Sequence, residues 1–392
     1  MTAMTAMTAM TAMTAMTAMT AMTGRGGGSL SALTGLYGDA LVTDALLSSR
    51  ARNTPELPAN PPRSGGFAAG HLPKVGEPEH LAWWQPEARN PLYALALADG
   101  LDFEVLPIAG QVLLTAPLAA RPASALTAAE REALEMVRRF GHVGAPRATV
   151  VSVTRPPRAT VDTQLAKVMA HAESTLRRAR AHEITAQVLP QVPFWSSLVP
   201  LSPWRTPWAF ELIGVALRFG NDVCHRIKHE LAVPRPSELS PFVQPILQTP
   251  GWAALPSGHA TEAFLFATLA TRLMQLPLPS DAALALQLQA ASIADNRVWA
   301  GLHYPMDGIS GRVLGHALAE YVVARCTGGS WTPHTYDGTD AAVAAADLDP
   351  YLLPSQGAGC SSATEVQGPA ADPLLGYLWK RARTEFEALG YA

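Results

Sequence analysis

Between Lys228 and Asp307 three short polar signatures interrupt a stretch that is otherwise mostly apolar and helical. They read Lys228-x6-Arg235-Pro236, Pro256-Ser257-Gly258-His259, and Asn296-Arg297-x5-His303-x3-Asp307. Together they supply three fixed cations, a hydroxyl, a glycine N–H and two imidazoles. Such a set can hold a tetrahedral oxyanion, because guanidinium forks match paired oxygens and each charge-assisted contact contributes about 1.5–3 kcal/mol. Three cations suffice for a dianion without a divalent metal. They would also depress the pKa of both histidines while the site is empty and raise it when the anion arrives.

The spacing dictates how the chain must present these groups. Lys228 and Arg235 are two helical turns apart, but Pro234 and Pro236 must end a helix between them. Lys228 therefore projects from a helix and Arg235 from the loop that closes it. Ser257, Gly258 and His259 precede the apolar run Thr261-Glu-Ala-Phe-Leu-Phe-Ala and occupy a helix N-terminus, where free N–H groups attract anions. Glycine there permits close approach to the backbone. Arg297 and His303 cannot share a helix face, so the chain must turn near Gly301. His303 and Asp307 can, and a carboxylate at that spacing would accept one ring N–H and free the other nitrogen as ligand or nucleophile.

Each signature alone is more often a helix end, a turn or a chance match; their order, each at a helix boundary, carries the weight. In that order the chain resembles the superfamily joining type 2 phosphatidic acid phosphatases, bacterial acid phosphatases and vanadium-dependent haloperoxidases. The departure is Asn296 where serine usually stands. The motif resemblance covers residues 228 to 307 and extends weakly from about 160 to 326, since Arg177 to Gln187 and Pro193 to Trp195 look like the soluble bacterial haloperoxidase-like branch.

That resemblance implies a mainly α fold, a helical bundle of the haloperoxidase/acid phosphatase type. It also implies an oxyanion held by Lys228, Arg235, Ser257, Gly258 and Arg297. In the haloperoxidase version the cofactor is vanadate, with no haem and no divalent metal. His303 would coordinate vanadium, His259 would help deprotonate hydrogen peroxide, and Lys228 would polarise the peroxide toward halide. Asp307 would orient His303, and Trp252, seven residues before His259, falls where such enzymes place a residue linked to halide preference. In the phosphatase version His303 attacks the phosphorus of a phosphoester to give a phosphohistidine, and His259 protonates the leaving alcohol and then activates water. A catalytically silent oxyanion-binding scaffold is a third reading, disfavoured by the complete histidine pair. Chain length, the surroundings of Trp252 and the lack of a recognisable secretory signal favour the haloperoxidase. The resemblance further implies self-association into a homo-oligomer.

The remaining chain must position these groups. Its 392 residues, 48% hydrophobic, can build one large core or two moderate ones. A net charge of -3 offers no basic field for nucleic acid. Cys224, Cys326 and Cys360 form no spaced pair, arguing against a disulfide framework and consistent with a cytoplasmic setting. No run of eighteen apolar residues lacks a charge or break, so no membrane span is expected.

Four regions follow. Residues 1–29 contain a Met-Thr-Ala repeat and read as a low-complexity disordered tail. Residues 30–125 are irregular, with Trp83-Trp84 as packing residues and a minor β hairpin over Phe103–Ile108 and Gln111–Thr115. Residues 126–330 form the helical core. It starts with a capping box at Thr127–Glu130 and a stop at Gly141, then a short strand at Val150–Val153. A long helix from Asp162 follows, with Leu165, Val168, Met169, Ala172 and Leu176 along one side and Arg177, Arg178 and Arg180 as a solvated face. Helices over Trp208–Leu231, from Ser280 with Leu284, Leu288 and Ala291 inward, and over Pro305–Arg325 with Ile309, Val313, Ala317 and Tyr321 inward complete the core. His225 and His229 have the spacing of a metal pair but lack a third ligand. Residues 331–392 read as a long loop through 372 and a helix near Leu374–Ala388 that packs back.

Overall fold

The computed structural model describes residues 78–118, 146–188 and 191–391. The Met-Thr-Ala tail and the helix expected from Thr127 lie outside the described residues. In chain order the elements are α1 (Pro86–Ala98), β1 (Asp102–Leu106), β2 (Gln111–Pro117), β3 (Arg147–Thr154), α2 (Arg158–Glu173), α3 (Thr175–Ala186), α4 (Val192–Ser196), α5 (Pro207–Leu231), α6 (Pro236–Leu239), α7 (Gly258–Leu273), α8 (Asp281–Trp299), α9 (Pro305–Thr327), β4 (Ser330–Trp331), β5 (His334–Asp337), β6 (Cys360–Ser362), β7 (Val366–Gln367) and α10 (Pro373–Glu387). The described chain is mainly helical with a small sheet.

The innermost elements are α7 and α9. Every residue from Ala263 to Thr271 on α7 and from Pro305 to Ala319 on α9 is buried, so neither helix has the polar face of a surface helix. Their close approach depends on two glycines facing α7. A Cβ on Gly311 would lie 2.7 Å from the Ala260 Cβ, and one on Gly315 would lie 2.6 Å from the Thr261 carbonyl oxygen. Around this pair pack α5, α8 and α10, with α1 against α5.

Local chemistry sets the helix ends that matter. Pro207 opens α5, and Glu385 from α10 accepts its Trp208 and Ala209 N–H groups at 3.0 and 2.9 Å. The helix closes on Ala232, in the left-handed conformation at φ 47°, immediately before the Pro234/Pro236 block. Ser257 caps α7 and Ser280 caps α8 through their hydroxyls. Gly301, at φ +78°, makes the turn between α8 and α9 where a side chain would be strained and would meet Val243 and Pro245.

Several expectations change in the folded chain. The helix from Asp162 instead starts at Arg158 and breaks at Ser174, whose hydroxyl accepts from Leu176 N–H to start α3. Leu176 consequently leaves the apolar side and is 59% exposed. Leu284 also points outward, at 40% exposure, because the inner stripe of α8 runs through Ala283, Leu286 and Ala290. Trp84 is 44% exposed rather than packed in the core.

The largest change concerns residues 330 to 372, expected as loop. They contribute β4 to β7, and β5 and β6 complete a five-stranded sheet of order β1-β2-β3-β5-β6 in which β3 and β5 run parallel. The β1–β2 pair is antiparallel, Phe103 opposite Leu114 and Val105 opposite Val112. The intervening segment is tied to the helices by buried side chains. Gln164 Nε2 donates to the Val343 and Ala346 carbonyls while its Oε1 accepts from Met306 N–H at the start of α9. Arg312 donates to the carbonyls of Asp349, Leu352 and Gln356. Single residues with no periodicity make these ties, so the pattern of apolar residues could not reveal them.

No described helix is long and apolar enough to cross a membrane, and all three cysteines are free.

The α7–α9 contact yields a direct test. Gly315→Ala would press a methyl group against backbone atoms that cannot yield, and is expected to cost about 1–3 kcal/mol. Urea unfolding of the variant should show a midpoint well below wild type.

Candidate active site

The last turn of α5 delivers Lys228, which is 2% exposed and donates to the Ala253 and Ala254 carbonyls at 2.9 and 2.7 Å. Burial pushes its pKa down to about 8, so it remains a cation at neutral pH. From the loop beyond, Arg235 donates through Nε to the Trp252 carbonyl at 2.8 Å and through Nη1 to the Leu302 carbonyl at 2.9 Å. The same Nη1 stands 2.9 Å from His303 Nε2. Arg297, near the end of α8, donates through Nη2 to the Ile184 carbonyl and to Gln187 Oε1. Its Nε and Nη1 are buried without a partner. Burial lowers its pKa to about 10 without discharging it.

His303 lies in the turn between α8 and α9. Because a guanidinium can only donate, the Nε2 that faces Arg235 carries the lone pair. The proton is therefore on Nδ1, which donates to Asp307 Oδ2 at 2.8 Å. The same carboxylate oxygen accepts the Tyr304 N–H at 3.0 Å, so Asp307 caps α9 and fixes the histidine tautomer together. Burial pushes Asp307 up to about 7, against the pull of the Tyr304 N–H and of Lys228 and Arg235. His303 is held well below the ordinary histidine range by burial, then by Arg235 and Lys228.

The N-terminus of α7 supplies the rest. Ser257 N–H donates to the Asp307 carbonyl at 2.9 Å, tying this helix start to that of α9. A Cβ on Gly258 would meet nothing within 4 Å, so there is open space beside this residue at the helix N-terminus. His259 is lowered to about 3 by burial and then by Arg297, while a hydrogen bond to the Gln187 main chain pulls the other way. At rest both imidazoles are neutral and surrounded by cations.

Lys228, Arg235, Arg297, His259, His303 and Asp307 influence one another electrostatically, and Ser257 joins them through Asp307. Trp252 stands differently: its carbonyl meets Arg235, but its ring is 40% exposed and packs edge-on against His225 at 5.1 Å. His225 Nδ1 accompanies the Asn221 carbonyl, and no group of three His, Cys, Asp or Glu among the described residues could hold a metal ion.

Two contributors were not visible in the sequence. Gln187 is fully buried; its Oε1 accepts from both Arg297 and Asn296, and its main chain meets His259. One glutamine past a helix end carries no pattern that would single it out. Arg177, expected on a solvated face, is instead 8% exposed and donates to the carbonyls of Trp299, Gln244 and Ala300, holding the end of α8. Its neighbour Arg178 is exposed, which is why the arginine run reads as solvated.

A family model described as the PAP2 superfamily matches residues 211–328, from the second turn of α5 to the residue capping α9. The superfamily has phosphatase and haloperoxidase members, and all three signatures fall inside the matched stretch. No curated protein matches the chain.

Two outcomes are expected of this geometry. Gln187→Leu removes the oxygen that holds Arg297 and Asn296, and inorganic phosphate affinity should fall about tenfold, or ~1.4 kcal/mol, by titration calorimetry. The second concerns pH. His259 protonates near 6.5 when unfolded and near 3 when folded. Between those values the unfolded chain binds the extra proton, so this residue's contribution to stability rises with pH and is lost as pH falls. Wild type should therefore lose stability relative to His259→Gln as pH drops from 6.5 toward 3, read by urea unfolding at successive pH values.

Proposed function

We propose that the chain is a vanadate-dependent haloperoxidase, oxidising halide with hydrogen peroxide to a hypohalous-acid-type halogenating species. The observation that carries this reading is the pair of buried, unpartnered Arg297 N–H groups in the same cation cluster as the lone pair of His303 Nε2. Buried donors without acceptors are costly, and an oxyanion supplies the missing oxygens. The residues fit vanadate: His303 Nε2 offers a neutral nitrogen ligand, and Arg297, Arg235, Lys228, Ser257 and the Gly258 N–H offer donors to its oxygens. Vanadate, when bound, supplies a Lewis-acidic centre at which peroxide is activated toward halide.

The protein's own groups then have separate tasks. Asp307 holds the Nδ1 proton of His303 and keeps Nε2 directed at the anion. Lys228, anchored by two carbonyls, would hold positive charge beside the bound oxyanion and offset negative charge on it. His259, neutral at rest, is available to take a proton from peroxide as it binds. Arg235, which shares its Nη1 between the Leu302 carbonyl and His303 Nε2, would release the ring nitrogen by giving that donor to the anion.

A second reading, a metal-independent acid phosphatase, is favoured by the position of Trp252. Its ring lies against His225 instead of among the anion-facing groups, which removes one reason for a halide preference. In this version His303 Nε2 attacks the phosphorus of a phosphomonoester, the phosphohistidine is cleaved by water, and His259 transfers the protons.

Purified protein given orthovanadate, bromide and peroxide is expected to brominate a phenol dye, to lose that activity when vanadate is withheld, and to lose it in His303→Ala. Hydrolysis of nitrophenyl phosphate without any bromination would assign the second reading. Full activity in His303→Ala would remove the ligand role given to that residue.

A further inference from the structure

A cavity of about 200 Å³ opens between α2, α8, the start of α9 and the segment at 347–348. Neither the three cations nor the two histidines of the candidate site line it. Its floor is apolar, built by Ala294 and Val298 of α8, Pro305 of α9, and Leu348. Its polar lining comes from His171, Asp295, Trp299 and Asp347.

One wall is fixed by contacts within the protein. Trp299 Nε1 donates to Asp295 Oδ2 at 3.0 Å, the His171 and Trp299 rings meet edge to face with centroids 4.1 Å apart, and the Arg180 guanidinium lies 4.8 Å from the indole centroid. An aromatic corner held this way needs little ordering when a ligand arrives.

The hydrogen-bonding capacity left over among these side chains is all of one kind. His171 Nδ1 stands 2.8 Å from the Lys167 carbonyl, which only accepts, so the ring proton is on Nδ1 and Nε2 of the neutral ring carries a lone pair. Asp295 Oδ2 is taken by Trp299 and by Arg180 Nη1 at 2.5 Å, and Asp347 Oδ2 by Lys167 Nζ at 2.8 Å. Among the described residues nothing bonds to His171 Nε2, Asp295 Oδ1 or Asp347 Oδ1. Three acceptors thus border an apolar floor, while the indole N–H is already committed.

Charge then selects the ligand. Each carboxylate has its own cation, Asp295 with Arg180 and Asp347 with Lys167, so the cavity holds no excess charge to attract an ammonium. An anion would meet only lone pairs. A neutral molecule with a donor matches, and since a cavity of about 150 Å³ holds benzene, this one accommodates a single substituted aromatic ring.

We propose that this cavity binds a small neutral aromatic molecule bearing one O–H or N–H donor, its ring against Trp299 and the α8–α9 floor and its donor given to His171 Nε2. The site is separate from the oxyanion centre and independent of the reaction assigned there.

Fluorine NMR titrations of the full chain near pH 8, with 4-fluorophenol, fluorobenzene and 4-fluorobenzylammonium as probes, test this. The expected result is a Kd of about 1 mM for 4-fluorophenol. Fluorobenzene should bind about fivefold more weakly, the difference that one hydrogen bond makes, and the ammonium no better than fluorobenzene. His171→Phe keeps a ring beside Trp299 but deletes the acceptor; it should bring 4-fluorophenol down to the affinity of fluorobenzene and leave fluorobenzene unchanged. A Cβ on Gly308 would stand 3.6 Å from Leu348 Cδ2 and 3.8 Å from Ala294 Cβ, so Gly308→Ala narrows the floor without a clash and should weaken both neutral probes. Saturating inorganic phosphate should alter neither. Equal affinity of 4-fluorophenol and fluorobenzene, or tighter binding of the ammonium, would overturn the ligand class. Displacement of 4-fluorophenol by phosphate would move the ring into the anion site and overturn the proposal. Failure of 4-fluorophenol to bind, or binding that neither substitution weakens, would overturn it as well.

Discussion

Three cations are buried in the site, Arg235 depresses the proton affinity of Lys228, and every hydrogen bond that Lys228, Arg235 and Arg297 make through their side-chain nitrogens ends on a neutral acceptor. Main-chain carbonyls, one carboxamide and one imidazole orient the charges but do not neutralise them. Asp307, Glu238 and Glu183 act on these cations through space, but none accepts from their side-chain nitrogens, and Asp307 Oδ2 is occupied by His303 and by the cap of α9. Burying like charges without a directly bonded counter-ion is among the costlier arrangements in a fold. The helical core must supply that cost from elsewhere, chiefly from the apolar burial along α7 and α9.

This constraint explains why so many supports are backbone atoms. The carbonyls of Trp252, Ala253 and Ala254 lie in the stretch leading to Ser257, and the Leu302 carbonyl adjoins His303. Cations thereby fasten the same loops that present the reactive groups. An anion at the centre would tighten contacts along the whole arrangement, so ligand binding and loop order are linked through shared donors.

Much of the site was legible because its chemistry is concentrated in short signatures at helix ends. Prolines 234 and 236 announced the end of α5, Ser257 and Gly258 announced the start of α7, and the interval from Arg297 to His303 required the turn that Gly301 makes. Helices with strong periodicity, such as Pro207–Leu231, were equally plain. What was illegible shares a different character. The strands β5 and β6 are short and lie far along the chain from β3, so their pairing is a tertiary event with no local sign. Gln187 and Arg177 act through single contacts to distant carbonyls or amides, and Leu176 was assigned to a face of a helix that Ser174 divides.

Arg312 spends its guanidinium donors on the carbonyls of Asp349, Leu352 and Gln356, and Gln164 clasps both Met306 and the Val343–Ala346 stretch. The Val343–Ala346 carbonyls and those of Asp349, Leu352 and Gln356 lie beyond Gly328, where the family match stops. A chain cut there would keep every reactive side chain yet strand a buried guanidinium and strip the parallel neighbour from β3. The smallest autonomous unit is thus larger than the matched stretch, and the carboxy-terminal extension belongs to the foundations of the helices that carry the candidate site.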